Sequence, residues 1–444
     1  MTSLAIPIAL AAVVVGAVVY SSPGFLPFLC ATSCSSECAV EPVYLTLVVL
    51  AGLFFAAVQL HRRAGLAAAE AKRKNELAME LMATRNKFMH TAESVRVGRA
   101  FKPRRSDIFV VTYPKCGTTW MTQIVHALRS KGDMGYGEIT EVVPWDILAH
   151  DCGQKLDAPQ QGFSPRVYKS HEAERDVPKG GRYVYVARDP LDAFLSFFKF
   201  LPAYTGLRAG DITPEQFADA IFAGASHSGQ IWGHMLGWWA RRKDPDVLWV
   251  FFEDLLADLP GSVRRIAEWG GLPSDEAAVR AACAVSSFEF MSAEANVHHF
   301  DDHFVRAHVV GKMGIAPGSG APPHVAKVRR GGGRAGGSRA GLPAGVRALL
   351  ASKWREQLAA QTGCADYAAL RAAIRATPEQ HDFSRHTAHR ERALKAAGGG
   401  GVDWRLAPRL ISDISEASGK AFAAVASPGK SKSKAPRAGA AALE

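Results

Sequence analysis

The chain has 444 residues and carries 53 Lys and Arg against 42 Asp and Glu, a net charge of +11. With 48% hydrophobic and 21% charged residues, it has a globular balance that excludes wholesale disorder and a collagen-like fibre. Membrane-length apolar runs occur only within the first 60 residues, which excludes a many-span transporter, and the basic surplus points to an anionic partner: a nucleic acid, a lipid surface or a phosphorylated small molecule. At about 150 residues per domain, the length allows two or three units, or one large α/β domain with appendages.

Leu4 to Tyr20 is apolar and uncharged and ends in Ser-Ser-Pro-Gly; a second apolar run, Val43 to Leu60, is bounded by His61, Arg62 and Arg63. At about 1.5 Å per residue both lie near the lower limit for crossing a bilayer. The reading favoured is a membrane hairpin, with a single anchor formed by the second run, or a buried soluble helix, as alternatives. A signal-peptide core fits the first run poorly, because no basic residue precedes it. The short loop between the runs holds Glu37 and Glu41 and no Lys or Arg, whereas Arg62, Arg63, Lys72, Arg73 and Lys74 follow the second run. That asymmetry places everything after residue 61 on the cytosolic side. Seven cysteines, an odd and sparse set, do not make a disulfide framework. Cys30, Cys34 and Cys38 lack the His pair or second Cys pair of a zinc site, so palmitoylation and unreactive thiols both stay open.

Ala64 to about Ser94 is rich in Ala, Glu, Lys, Leu and Met and reads as a charged helical stalk. Lys72-Arg73-Lys74 on it is either a solvated face or a contact with anionic lipid. From Asp107 the pattern changes. Asp107–Tyr113, Arg166–Lys169, Arg182–Ala187 and Val247–Phe252 read as buried strands, and Thr118–Ser130 and Pro190–Phe200 as helices between them. This alternation predicts an α/β fold, a parallel sheet flanked by helices. Pro317–Gly345 is basic and Gly-rich, and Pro343 starts a further helix through Lys353-Trp354-Arg355. The domain boundaries expected are 1–63 for the anchor, 64–103 for the stalk, 104–392 for the α/β domain, and 393–444 for a linker, a short helix and a disordered tail.

Tyr113-Pro114-Lys115-Cys116-Gly117-Thr118-Thr119-Trp120 follows the first strand and opens a helix. A short Gly-containing turn there aims free backbone N–H groups and the positive end of the helix dipole at one point. Lys115 adds a charge and Thr118 and Thr119 add hydroxyls, a set suited to a phosphate-like anion. It is not a Walker A loop, in which the Lys follows the glycines; here Lys115 precedes Gly117. The strand Arg182–Ala187 runs into Arg188-Asp189-Pro190, with Ser196 two turns into the next helix, so a cation and a hydroxyl can converge on one phosphate. Lys169-Ser170-His171 ends another strand, and an imidazole with an ordinary pKa near 6.5 can accept a proton near neutral pH.

Together these motifs resemble the sulfotransferase family that uses 3′-phosphoadenosine 5′-phosphosulfate (PAPS). Pro114–Trp120 is similar to its P-K-[SA]-G-T-T-W phosphosulfate loop, with Cys116 where Ser is frequent. The resemblance implies a P-loop-like sulfotransferase fold. Lys115, Gly117, Thr118 and Thr119 would hold the phosphosulfate, Trp120 would stack on adenine, and Arg188 and Ser196 would bind the 3′-phosphate. His171 would be the general base, Lys169 would stand beside the transferring group, and Ser196 would restrain Lys115 until the acceptor binds. Arg329-Arg330-Gly331 resembles the R-K-G phosphate clamp, Phe252-Glu253-Asp254 the Y-E-D element, and Ser286-Ser287-Phe288 the [TS]-S-F element that lines adenine through Ser286 and Phe288. The chain departs from the family where Phe252 lacks a Tyr hydroxyl and where no G-D-W follows Gly331. The likeness spans Ser106 to Leu358.

The expected partners are thus a nucleotide co-substrate, an acceptor hydroxyl or amine that the sequence does not identify, and membrane lipid at the N-terminal helices. No metal is implied, since no cluster has ligand spacing, and no nucleic acid, since Arg329–Arg339 has no interleaved aromatic. The competing readings are an ATP-using P-loop-like kinase and a catalytically inactive membrane-anchored binding protein. Membrane-anchored relatives commonly face the Golgi lumen, which stands as the alternative to a cytosolic catalytic domain. Trp232, Trp238 and Trp239 are candidates for either an acceptor pocket or core.

Overall fold

A computed structural model describes residues 40–224, 227–316, 327–328 and 341–383, all within one compact unit ending at Phe383. The first apolar run, Cys30, Cys34, Cys38, Arg329-Arg330-Gly331 and everything after residue 383 lie outside the described residues.

The second apolar run and the stalk form one helix, α1 (Val40–Lys87), uninterrupted at residue 63. Its 48 residues rise about 72 Å at about 1.5 Å each. Among the described residues it is the helix long and apolar enough to cross a membrane, and Val49, Leu53, Phe55 and Leu60 on it are exposed. The other end is anchored on the protein. Ala78 and Met82 are buried, Arg85 donates to the Thr205 carbonyl at 2.6 Å, and Lys74 pairs with Asp211 at 3.4 Å. A second helix, α2 (Ala92–Ala100), starts where the Thr91 hydroxyl accepts from the Ser94 N–H at 3.1 Å, an N-cap.

The chain then alternates: β1 (Ile108–Thr112), α3 (Thr118–Ser130), β2 (Val167–Ser170), β3 (Arg182–Ala187), α4 (Pro190–Tyr204), α5 (Ile231–Ala240), β4 (Val247–Phe251), α6 (Leu259–Gly270), α7 (Glu276–Ser286), α8 (Ala344–Lys353) and α9 (Tyr367–Arg375), with shorter helical turns between them. Each strand falls within one residue of its sequence-based bounds, and α4 runs four residues past Phe200. The strands form one parallel sheet in the order β2-β1-β3-β4, with Ile108 opposite both Val167 and Arg182, and Tyr183 opposite Val247.

The near-continuous apolar strands are explained by cover on both faces, and alternate side chains divide between two cores. Phe109, Val111, Tyr183, Tyr185, Trp249 and Phe251 join an aromatic core with α4, α5, α8 and α9. Ile108, Val110, Val184, Val186, Leu248 and Val250 pack with α3, α6 and α7. The aromatic core takes Trp232, Trp238 and Trp239, each buried, so all three serve packing. At the amino ends of β1 and β2, Arg166 grips Asp107 through two hydrogen bonds, with both side chains buried.

This topology fixes where a ligand can sit. The chain leaves β1 toward one face, through α3, and leaves β3 toward the other, through α4. These adjacent strands therefore open a crevice at their carboxyl ends, the topological switch point where open α/β sheets bind ligands.

Candidate active site

Every strand delivers a side chain to that crevice just past its carboxyl end. β1 gives the loop from Pro114 to Gly117, β2 gives His171, β3 gives Arg188 and β4 gives Phe252. Lys115, Gly117, Thr118, Thr119, Trp120, Lys169, His171, Arg188, Ser196, Phe252 and Phe288 line one cavity of about 630 Å³.

The β1–α3 loop turns tightly, with Lys115 at φ 69° and Gly117 at φ 102°. A Cβ on Gly117 would lie 2.8 Å from the Phe252 ring, so glycine is required twice, for its backbone angle and for the close approach. α3 starts here, and its first-turn N–H groups, which have no intrahelical acceptors, open on the loop. Thr118 is buried with its hydroxyl 2.6 Å from that of Thr112. Arg188 donates to the Lys115 carbonyl at 3.1 Å and lies 4.2 Å over the Phe252 ring, and its buried Nε has no partner among the described residues. Trp120 packs edge-on against Phe252 at 5.5 Å and donates its indole N–H to the Ser286 carbonyl at 2.7 Å. Ser286 therefore contributes its backbone, with its side chain buried outside the cavity lining. Phe288 is exposed at the rim. Ser196 lines the wall from the second turn of α4.

His171 is buried at the end of β2. Its Nδ1 lies 2.9 Å from the Thr112 carbonyl, which accepts only a proton-bearing nitrogen, so the ring carries its proton on Nδ1 and leaves Nε2 as the acceptor. Burial, and then the Lys169 charge, lower its pKa well below the ordinary value, so it is neutral at pH 7. Lys169 is placed by the strand-like pairing of Pro144–Asp146 alongside it, which sets its ammonium 3.7 Å over the Trp145 ring. Burial and the Lys327 charge depress the Lys169 ammonium, against the pull of Asp302 and Glu138. Lys115 sits with its ammonium 3.7 Å over the Phe200 ring.

Several residues at the cavity have no counterpart in the sequence reading. Asp302, in the left-handed conformation at φ 68°, pairs with Lys327, and both line the cavity. Lys327 stands two residues before Arg329 in the same basic stretch, a usable local signal. Trp145, His90 and His227 arrive from distant segments and carry no local pattern, and Glu172, directly after His171, pairs with His227 behind the lining. Arg329, Arg330 and Gly331 lie outside the described residues.

Residues 105–312 match the sulfotransferase domain family. The chain is 32% identical over 214 residues to sulfotransferase 2B1 of Mus musculus, covering 46% of this chain and 62% of that protein. It is 29% identical over 229 residues to the amine sulfotransferase of Oryctolagus cuniculus, covering 48% of this chain and 75% of that protein. It also spans 53% of the length of Homo sapiens sulfotransferase 2B1, at 31% identity over 198 residues and 43% of this chain. Among solved structures it is similar to mouse sulfotransferase SULT7A1 complexed with PAP, at a TM-score of 0.44 and 19% identity, covering 61% of this chain and 90% of that one. The stretch from 105 to 312 that is similar to the sulfotransferase domain holds all four strands, the Gly117 loop and His171.

Proposed function

We propose that the protein transfers a sulfuryl group from PAPS to a hydroxyl or amine. The observation that carries this reading is the orientation of His171: its Nδ1 proton is engaged by Thr112, and its neutral Nε2 is the free acceptor on a cavity that also holds Lys115, Lys169 and Arg188. The residues present fit the donor. The helix that starts after Gly117 presents its first-turn N–H groups at the cavity, and the buried Arg188 Nε has no partner among the described residues, as a multiply charged nucleotide requires.

In this reading, Lys115 and the Gly117–Thr119 turn hold the 5′-phosphosulfate. Arg188 and Ser196 hold the 3′-phosphate, joined by Arg329, Arg330 and Gly331. Trp120, Phe252 and Phe288 flank adenine, with Ser286 fixing Trp120. The acceptor oxygen or nitrogen attacks sulfur in line while the bond from sulfur to the bridging 5′-phosphate oxygen breaks. The acceptor's proton passes to His171 Nε2, and Lys115 neutralises the charge left on the departing oxygen. Lys169 stabilises the equatorial sulfuryl oxygens, and Ser196 restrains Lys115 until acceptor is bound. The chemistry needs no metal.

The apolar, exposed part of α1 supports anchorage in a membrane. The basic residues from Arg62 to Lys74 support a catalytic domain on the cytosolic side, and protease protection in sealed vesicles separates that from a Golgi-lumenal one.

The test is His171→Ala assayed with labelled PAPS against phenol, alcohol and amine acceptors. Loss of the proton acceptor should lower turnover by about 10²-fold or more, while calorimetry still registers PAP, the desulfated donor. Near-normal transfer by the variant would refute the assignment of the base, and ATP binding in preference to PAP would refute the donor.

A further inference from the structure

The same cavity carries two more imidazoles that the proposed transfer does not use. His90, from the turn that leaves α1, and His227 line it with ring centroids 4.1 Å apart. His227 Nε2 is 2.9 Å from Glu172 Oε1, and Arg99 Nε is 2.5 Å from the other Glu172 oxygen, whose side chain is 1% exposed. Burial alone would raise the Glu172 carboxyl, but the hydrogen bonds from His227 and Arg99 outweigh it and hold the group below the ordinary range. An ionised carboxylate only accepts, so Nε2 of His227 bears a proton and is committed to Glu172, which leaves Nδ1 as the ring's other polar atom. Burial, then His227, push His90 down to about 4, which leaves it neutral at pH 7.

Much of the remaining lining is apolar, from Met89, Ile147, Leu195, Phe197, Phe200 and Leu201, with Asn86 and Ser228 as polar neighbours of the two imidazoles. The cavity's Lys115, Lys169, Arg188 and Lys327 disfavour a cationic group at this wall. We propose that His227, aligned by Glu172 and braced by His90, is an acceptor-positioning subsite. Its Nδ1 hydrogen-bonds a second, neutral hydroxyl on an otherwise apolar acceptor whose reacting group lies at His171. This rests on the sulfotransfer reading and deepens it. It also makes the end of the stalk helix part of the acceptor site, through Asn86, Met89 and His90.

The test compares straight-chain 1-alkanols with the matching α,ω-diols, from about six to twelve carbons, for binding to the full-length protein in detergent with PAP present. A terminal hydroxyl buried without a partner costs affinity, whereas one that meets an acceptor recovers it. The subsite predicts that, at one chain length, the diol binds at least as tightly as the alkanol. In His227→Phe, that diol becomes about tenfold weaker than the alkanol, and His227→Gln, which keeps an acceptor oxygen, recovers part of the loss. The proposal is overturned if every diol binds the wild type more weakly than its alkanol, or if the matched diol keeps its affinity in His227→Phe. PAP-induced thermal stabilisation of the wild type reports the donor reading separately, and its absence would sink that reading without touching the diol comparison.

Discussion

Gly117→Ala separates what the phosphate loop owes to backbone angle from what it owes to close packing. At φ 102° the position lies where an L-residue is strained, at about 1–2 kcal/mol. The added methyl would also sit 2.8 Å from Phe252 Cδ2, and overpacking of this kind costs about 1–3 kcal/mol. Phe252 cannot retreat freely, because Arg188 lies 4.2 Å over its ring and Trp120 packs against it at 5.5 Å. The combined penalty is about 3 kcal/mol, a factor of about 100 at 1.4 kcal/mol per decade. It appears as lost PAP affinity if the free loop relaxes, or as lost stability if it does not. Calorimetric titration with PAP and urea unfolding of the same samples measure both. In a double-mutant cycle, Phe252→Ala removes the ring that the methyl strikes, so the pair should show a favourable coupling of about 1–2 kcal/mol, while the cost of the backbone angle persists. A Gly117→Ala protein whose stability and PAP affinity both match wild type would refute the argument.

Three further perturbations read other parts of the structure. Asp107→Ala strands the buried Arg166 guanidinium, and breaking such a pair costs about 3–5 kcal/mol; a urea midpoint unchanged from wild type would contradict this. Burial and the neighbouring Glu172 push the buried Asp146 carboxyl up to about 8, so the folded state binds a proton that the unfolded state releases above about 4. Wild-type stability therefore falls across that window, and Asp146→Asn, which cannot ionise, should gain on it by up to about 1.4 kcal/mol per pH unit between about 4 and 8; a difference that does not change with pH would show that Asp146 folds ionised. Arg188→Ala should weaken PAP by at least tenfold, because it removes a buried cation whose hydrogen bonds to phosphate are charge-assisted, and an unchanged dissociation constant would remove Arg188 from the phosphate site.

The residues of the proposed donor half are legible in the sequence because their pattern is written locally. A Lys, a Gly and two Thr within five residues are forced by one turn to share a helix N-terminus. Arg188 and His171 each stand directly after a strand, so the parallel sheet aligns them at one edge once the strands are recognised. The strands were visible for the same reason: cover on both faces leaves short runs of β-branched and aromatic residues. The change of hydropathy at His61 suggests a boundary in α1, but a helix backbone is indifferent to that change, and no Pro occurs between Val43 and Lys87.

The proposed acceptor half is not legible, because its members come together only in the packed fold. His90 leaves α1, Glu172 follows β2, and His227 comes from a segment beyond α4; their separations of 82 and 55 residues are closed only by the packed fold. The Asp302–Lys327 pair is likewise 25 residues apart. The donor's phosphates demand backbone N–H groups, and those can be supplied only by a particular turn with a particular glycine. An acceptor's hydroxyl and apolar body can be met by side chains from any element that reaches the cavity. On the proposed reading, sequence announces the nucleotide and conceals the acceptor, and the His227 variants test whether the wall at the end of α1 selects the second substrate.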